Sequence, residues 1–328
     1  MRSVDFLNLR QLMPTIASQE VAKISPPASR GIIERLRPVL NEHGFDGPSS
    51  LLVPPKDILD DNVKVLATSR DGQMRGVLFW SNPNAPQAAM FAAKCASRAR
   101  EFLDEDLGKA VLEPFTSGAV DGRTYVLWPW WQPISASRYL RTAEAILLRC
   151  HLFDWLTAVI RTTARQPVGI QQTFANALRH IGEHPRLDSE NRKIAERAIA
   201  RLDTGRWSPC HVLAHNDFWL ENILLKPSHP RIGAAMGQFA IIDWGASAVD
   251  GYPFYDLIRI AQTTYVGRRQ LKREILSHCH LLECAPEDAS GYLAAALGHI
   301  GLRNDHFPED RYILLAQSCL RIFQSTLN

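Results

Sequence analysis

The segment His215-Asn216-Asp217-Phe218-Trp219-Leu220-Glu221-Asn222 runs into the apolar stretch Ile223 to Leu225, and after a loop the chain reads Ile241-Ile242-Asp243-Trp244-Gly245. Two carboxylates and an amide thus stand at the ends of two short β-rich runs. Moving a phosphoryl group between oxygens leaves a protein little covalent work. It calls instead for a carboxylate at the attacking hydroxyl and for oxygen ligands that hold magnesium at the phosphates. Asp217 can supply the first. Asn222, at the mouth of the following strand, offers a neutral amide oxygen, and Asp243, at the end of the partner strand, a charged one. A two-stranded ribbon would hold both ligands side by side. Taken singly, each residue has a blander explanation: Asp217 as a cap or turn former, Asn222 as a strand-end turn residue, Asp243 as a solvated acid. Their shared spacing is what argues for chemistry.

This arrangement resembles the catalytic and metal-binding loops of the protein-kinase-like superfamily, H-R-D-x-x-x-x-N followed by D-F-G. Asn216 at the second position and Asp243-Trp244-Gly245 are similar to the aminoglycoside phosphotransferase and choline kinase branch, whose members phosphorylate small alcohols. Gly251-Tyr252-Pro253-Phe254-Tyr255-Asp256-Leu257 resembles the Gly-x-Pro-x-x-Asp-Leu run that starts the next helix there. In that run the Asp, here Asp256, buttresses the catalytic loop, and the His, here His215, is a scaffold. The resemblance implies an α+β, bilobal protein-kinase-like fold with a small antiparallel-sheet N-lobe and a larger, mainly helical C-lobe. It also implies Mg2+, ATP or GTP as co-substrate, and a small-molecule hydroxyl acceptor such as an aminoglycoside, an amino sugar or a choline-like alcohol. The motifs span residues 211 to 257; on either side the likeness is architectural.

The elements that must position these residues follow from hydrophobic periodicity. Ile32, Ile33, Leu36 and Leu40 predict a helix over 29 to 43, inside an N-terminal cap of residues 1–48. VKVLATS, the turn Asp71-Gly72 and MRGVLFW predict a hairpin. A helix from Gln87 to Leu107, carrying Phe91, Cys95, Phe102 and Leu103, should cross the sheet, and KAVLEPF and RTYVLWPWW add two strands. Pro129 and Pro133 end regular pairing, so a hinge separates an N-lobe of residues 49–132 from a C-lobe of residues 133–328. Helical patterns at 139 to 156 and in a block from 171 to 203 follow, and helices resume from Pro253.

The small lobe departs from the expected pattern. A lysine on its third strand and a Glu on the crossing helix should hold the α- and β-phosphates. Phe79 stands at the lysine position, and Gln87 to Ala99 contains no acid, Glu101 arriving late. Alternation places Arg75 on the face of Phe79, which makes it the first candidate for the phosphate cation, ahead of Lys64 on the neighbouring strand and Lys94 on the helix. VPPKDILDDN has no glycine to wrap phosphates. Trp128 and Trp130 lie beside the segment that the resemblance assigns to adenine, and complete the cofactor-binding set with Arg75. The missing lysine keeps open a pseudokinase acting as an interaction module, and a further alternative keeps the chemistry but takes a protein or glycan as acceptor. Around the acceptor, Asp250, Glu283, Glu287, Asp288, Asp305 and Glu309 would suit a cationic substrate.

Composition narrows the partners. With 46% hydrophobic and 22% charged residues the chain is neither disordered nor fibrous. A net charge of +3, from 37 basic and 34 acidic residues, advertises no nucleic-acid partner. Apolar runs stop well short of the roughly 20 residues of a membrane span, and MRSVDFLNLRQL has no signal-peptide pattern, so no membrane and a cytoplasmic location are expected. Oligomeric state has no signature here. Six scattered cysteines predict reduced thiols, and His278, His280, Cys279 and Cys284 do not point together as a zinc site.

Overall fold

The computed structural model describes residues 27–52, 62–227, 238–303 and 308–327. The beginning of the expected cap, almost all of VPPKDILDDN, most of the loop between Lys226 and Gln238, and Asp305 lie outside the described residues.

The small lobe is a five-stranded antiparallel sheet in the order β1-β2-β3-β5-β4. It comprises β1 (Ser49–Leu51), β2 (Val63–Thr68), β3 (Arg75–Trp80), β4 (Thr116–Val120) and β5 (Arg123–Pro129). Period-two alternation sorts its faces. Val63, Val65 and Ala67 pack with Leu78, Trp80, Tyr125 and Leu127 against Ile33, Leu36 and Leu40 of helix α1 (Pro27–Glu42). The opposite face carries Lys64, Leu66, Val77, Phe79, Val126 and Trp128, in rows set by the register Lys64↔Phe79↔Val126 and Val77↔Trp128.

Helix α2 (Ala88–Phe102) covers part of that second face, with Ala89 and Ala93 against Val126, Phe79 and Trp128. The expected apolar stripe of this helix is corrected here. Phe91 is 59% exposed, and the inner stripe is Ala89, Ala93, Ala96 and Ala99. Small side chains let α2 lie close to both the sheet and the turn Trp244–Ala246. The helix also ends early, followed by a separate short helix α3 (Glu105–Gly108) capped by Asp104.

The large lobe is built from α4 (Arg138–Thr163), α5 (Ile170–Glu183), α6 (Ser189–Asp203), α7 (Tyr255–Thr263), α8 (Arg268–Leu281), α9 (Pro286–Leu302) and α10 (Glu309–Leu327). The helical block expected from 171 to 203 is two helices, because the Pro185 turn breaks it and the Asp188 carboxylate caps α6 through the Asn191 N–H. Their core is aromatic at its centre, where Phe174 packs against Trp207, Tyr252 and Tyr292.

Two small sheets carry the loops of interest. The expected ribbon is three-stranded: β6 (Gln132–Pro133) pairs with β8 (Ile223–Leu225), which pairs with β9 (Phe239–Ile241). The other pairs β7 (Val212–Ala214) with β10 (Ala248–Gly251). Gly251, the first residue of the Gly-x-Pro-x-x-Asp-Leu run, is required by this crossing, since a Cβ there would lie 2.3 Å from that of Ala214.

Candidate active site

The buried strand β7 delivers the chain to His215, and from there helix α7 holds the loop. Asp256 in its first turn accepts from the His215 N–H at 2.6 Å and the Asn216 N–H at 2.9 Å. Farther along the helix, the Thr263 hydroxyl accepts from the Leu220 N–H at 3.1 Å. Asn216 takes a left-handed φ of 63°, a conformation Asn tolerates, and its amide donates to Ala246 O at 2.9 Å. Arg141 of α4 forms an ion pair with Glu221, which anchors the Leu220–Asn222 turn from the far side.

His215 joins this loop to the end of β9. Its Nδ1 accepts from the Asp217 N–H at 3.3 Å, so Nε2 carries the proton and donates to Ile242 O at 3.0 Å. Complete burial pushes its pKa down and keeps the ring neutral, as this pattern of bonds requires. The ring packs against Trp244 with centroids 4.6 Å apart. His215 is thereby a strut between the Asp217 loop and the turn at Asp243.

The structure brings Asp217, Asn222 and Asp243 together. The Asn222 amide N–H2 donates both to the Asp217 carbonyl at 2.8 Å and to its Oδ2 at 2.9 Å, which leaves the amide oxygen facing away from Asp217. Asn222 O accepts from the Ile242 N–H at 3.0 Å, so the next residue, Asp243, stands beside it. Asp243 takes φ 67° and ψ 53° and is exposed to the cleft. Burial pushes the Asp217 pKa up, with Arg259, the Asn222 bond and the Trp219 indole opposing it. The protein mass around the cleft, rather than any cover over the carboxylate, raises that of Asp243; Asp217 adds to the rise while His215 and Lys64 oppose it. Two repelling carboxylates and an outward amide oxygen are hard donors suited to magnesium, an ion that keeps waters and phosphate oxygens in its remaining positions. Among the described residues no three His, Cys, Asp or Glu side chains converge to hold a metal by themselves.

The candidates of the small lobe divide. Arg75 is exposed at the turn end of β3, two side-chain rows and about 14 Å along the strand from Phe79. Lys64 instead lies directly across from Phe79 on the same face, its Nζ 5.3 Å from the ring centroid, and its charge is felt at Asp243. Lys94 and Glu101 are exposed on α2. Trp128 packs on the α2 face of the sheet. Trp130 uses its backbone N–H to bond Arg75 O at 3.0 Å, continuing the β3–β5 pairing.

Several carboxylates expected around the acceptor are committed elsewhere. Asp250 pairs with Arg165 at 2.7 Å, Asp288 with Arg201 at 2.6 Å, and Glu309 with Arg186 at 3.5 Å. The charged residue that does flank Asp217 is Arg259, which sequence reasoning missed; its only signal was a position one helical turn after Asp256, on the same face of α7.

A model described as Phosphotransferase enzyme family matches residues 61–295. No curated protein matches the chain. Among solved structures the chain is similar to an aminoglycoside-3'-phosphotransferase of type VIII, with 18% identity over 88% of this chain and 98% of the other and a TM-score of 0.39. It is also similar to a choline kinase from Streptococcus pneumoniae, with 12% identity over 90% and 98% and a TM-score of 0.47. A choline/ethanolamine kinase family protein from Mesorhizobium loti gives 13% identity over 91% and 97%, with a TM-score of 0.49. At these distances none of the three says what this chain acts on.

Proposed function

Because the chain belongs to the phosphotransferase enzyme family, we propose that it transfers the terminal phosphoryl group of ATP or GTP to a hydroxyl of a small molecule. The observation that carries this reading is the meeting of Asp217, Asn222 and Asp243 at one cleft. The hydroxyl oxygen attacks the terminal phosphorus, its proton passes to an Asp217 carboxylate oxygen, and the bond to the bridging oxygen breaks with its electron pair leaving on the nucleoside diphosphate. A raised pKa makes Asp217 a better proton acceptor than an ordinary aspartate. Asn222 and Asp243 would hold Mg2+, which when bound neutralises charge on the phosphate oxygens. Lys64, on the sheet face of Phe79, supplies the phosphate cation that β3 lacks. This assignment replaces Arg75. On the same reading residues 49–132 form the nucleotide-binding lobe, residues 133–328 the catalytic lobe and residues 1–48 a cap. Dependence on a cellular nucleotide pool favours the cytoplasm. No helix of the described residues is long and apolar enough to cross a membrane.

The test is a thermal-unfolding titration of the full chain with ATP, with and without magnesium. Ligand at a hundredfold excess over Kd stabilises by about 2.7 kcal/mol, and that gain should require the metal. In the same titration Lys64→Met weakens nucleotide binding by about tenfold or more, roughly 1.4 kcal/mol or greater, while Arg75→Met leaves it unchanged. No magnesium-dependent stabilisation of the wild-type chain would sink the reading. Equal loss in both variants would sink the choice of Lys64.

A further inference from the structure

Arg259 is only 6% exposed, yet among the described residues it makes no ion pair. Its Nη1 donates to Gln262 Oε1 at 3.1 Å, and Gln262 passes the chain on to the Ser318 hydroxyl of α10 at 3.3 Å. Its Nε is buried without a hydrogen-bond partner. The guanidinium carbon stands 5.7 Å from the ring centroid of Trp219, two residues beyond Asp217. The Trp219 indole N–H is turned toward Asp217 but does not close to hydrogen-bonding geometry, and it too is buried without a partner.

The charges of Asp217 and Asp256 answer the buried cation at a distance, but a buried donor without an acceptor remains costly until something accepts from it. The two carboxylates whose charges reach it are already hydrogen-bonded elsewhere, Asp256 to two backbone N–H groups and Asp217 to the Asn222 amide. The fold therefore holds, beside the acid that would receive the acceptor's proton, a guanidinium that makes no direct ion pair among the described residues and two buried N–H donors, Arg259 Nε and Trp219 Nε1, whose hydrogen bonds the protein does not close. They lie between the 215–222 loop and α10, the direction from which the acceptor enters under the phosphotransferase reading. Three of the carboxylates that would have favoured a cationic acceptor, Asp250, Asp288 and Glu309, are paired with Arg165, Arg201 and Arg186.

We propose that Arg259, together with the Trp219 indole N–H, binds an anionic group of the acceptor, which is then a hydroxy acid or a hydroxylated phosphate ester and not a cationic alcohol. Guanidinium binds carboxylate and phosphate through charge-assisted, directional hydrogen bonds. Anchoring that group next to Asp217 fixes where the hydroxyl stands relative to the phosphoryl donor, which is how remote binding lowers a bimolecular barrier. This proposal rests on the phosphotransferase reading above.

The test measures nucleoside diphosphate release from MgATP by the full chain. Its acceptors are glycerate and gluconate for the carboxylate arm, glycerol 3-phosphate for the phosphate arm, choline and kanamycin as cations, and glycerol and inositol as neutral alcohols. The expected result is a kcat/KM for one anionic arm about tenfold or more above every cationic and neutral acceptor. Arg259→Lys and Trp219→Phe then each raise KM for that arm, with the smaller part of the loss in kcat, and leave MgATP affinity unaltered. Calorimetric titration of glycerate and glycerol 3-phosphate into the MgADP-bound chain reads the same site without turnover, and Arg259→Lys should weaken that binding. Preference for a cationic or neutral acceptor, or no binding of either anion, overturns the proposal. So does an Arg259→Lys that shifts the pH dependence of kcat with KM unmoved, since the guanidinium would then serve only to tune Asp217. Failure of MgATP itself to bind is distinguishable from all of these, because it strikes the phosphotransferase reading and not the acceptor alone.

Discussion

Asp217→Asn lowers turnover by about 10²-fold or more while leaving the fold at least as stable at neutral pH. The substitution keeps the size of the side chain and an oxygen that can still accept from the Asn222 amide, the bond that orders the loop in the wild type. It removes the group that would receive the hydroxyl proton. The stability half of this expectation follows from the direction of the pKa shift. Burial raises the Asp217 pKa above its ordinary value, so the ionised carboxylate is less at ease in the folded chain than in the unfolded one. Stability linked to its protonated form is complete below the unfolded pKa and is lost as the pH rises through the folded one. At pH 7 the wild type carries that cost and the Asn variant does not. The advantage of the variant shrinks as the pH falls through the folded pKa and is gone below the unfolded one, about 4. Urea unfolding at the two pH values checks this, alongside steady-state kinetics. A folded Asp217→Asn with undiminished turnover would remove Asp217 from the reaction.

Asp243→Asn should weaken magnesium-dependent nucleotide binding by about 10²-fold or more, read by calorimetry with and without the metal. Asn is the informative replacement because residue 243 has φ 67°, a left-handed conformation that Asn accepts and that would strain most other side chains. The wild-type carboxylate is destabilised by its surroundings and by Asp217, so both its proton and a divalent ion are ways to relieve the same repulsion. Magnesium alone should therefore stabilise the wild type more as the pH rises and carboxylate protonation ceases to compete, and should do little for the variant. Nucleotide binding that survives Asp243→Asn with its metal dependence intact would leave the ion to other ligands.

These two residues were legible before any fold was known, and the reason is local. His215, Asp217 and Asn222 sit on one turn of chain, and Asp243 on the strand that pairs with its exit, so their relation depends on short-range geometry that motif spacing encodes. Asp256 was legible for the same reason, as the opening of α7 follows directly on β10. Lys64 and Arg75 were not separable in this way. Alternation puts Arg75 and Phe79 on one face, but which end of the hairpin approaches Asp243 depends on the register with β2 and on how the sheet sits over the large lobe. The inner stripe of α2 was misjudged because large apolar residues usually point inward. Here the nearness of the sheet and of the turn Trp244–Ala246 admits only alanines, and Phe91 is turned out.

Charge and pattern along the chain were enough to determine a two-lobed α+β architecture, the loop that carries the acid and amide, and the family to which they belong. They could not determine the electrostatic character of the acceptor side. The carboxylates there read as a cation-binding wall, but folding pairs three of them, Asp250, Asp288 and Glu309, with arginines distant in sequence. Arg259, unremarked in the linear chain, became the charge beside Asp217 once α7 packed along the loop. Ion pairing and burial are set by contacts between elements far apart in sequence. No local periodicity specifies those contacts, and so which cation stands beside Asp217 was decided by the tertiary fold.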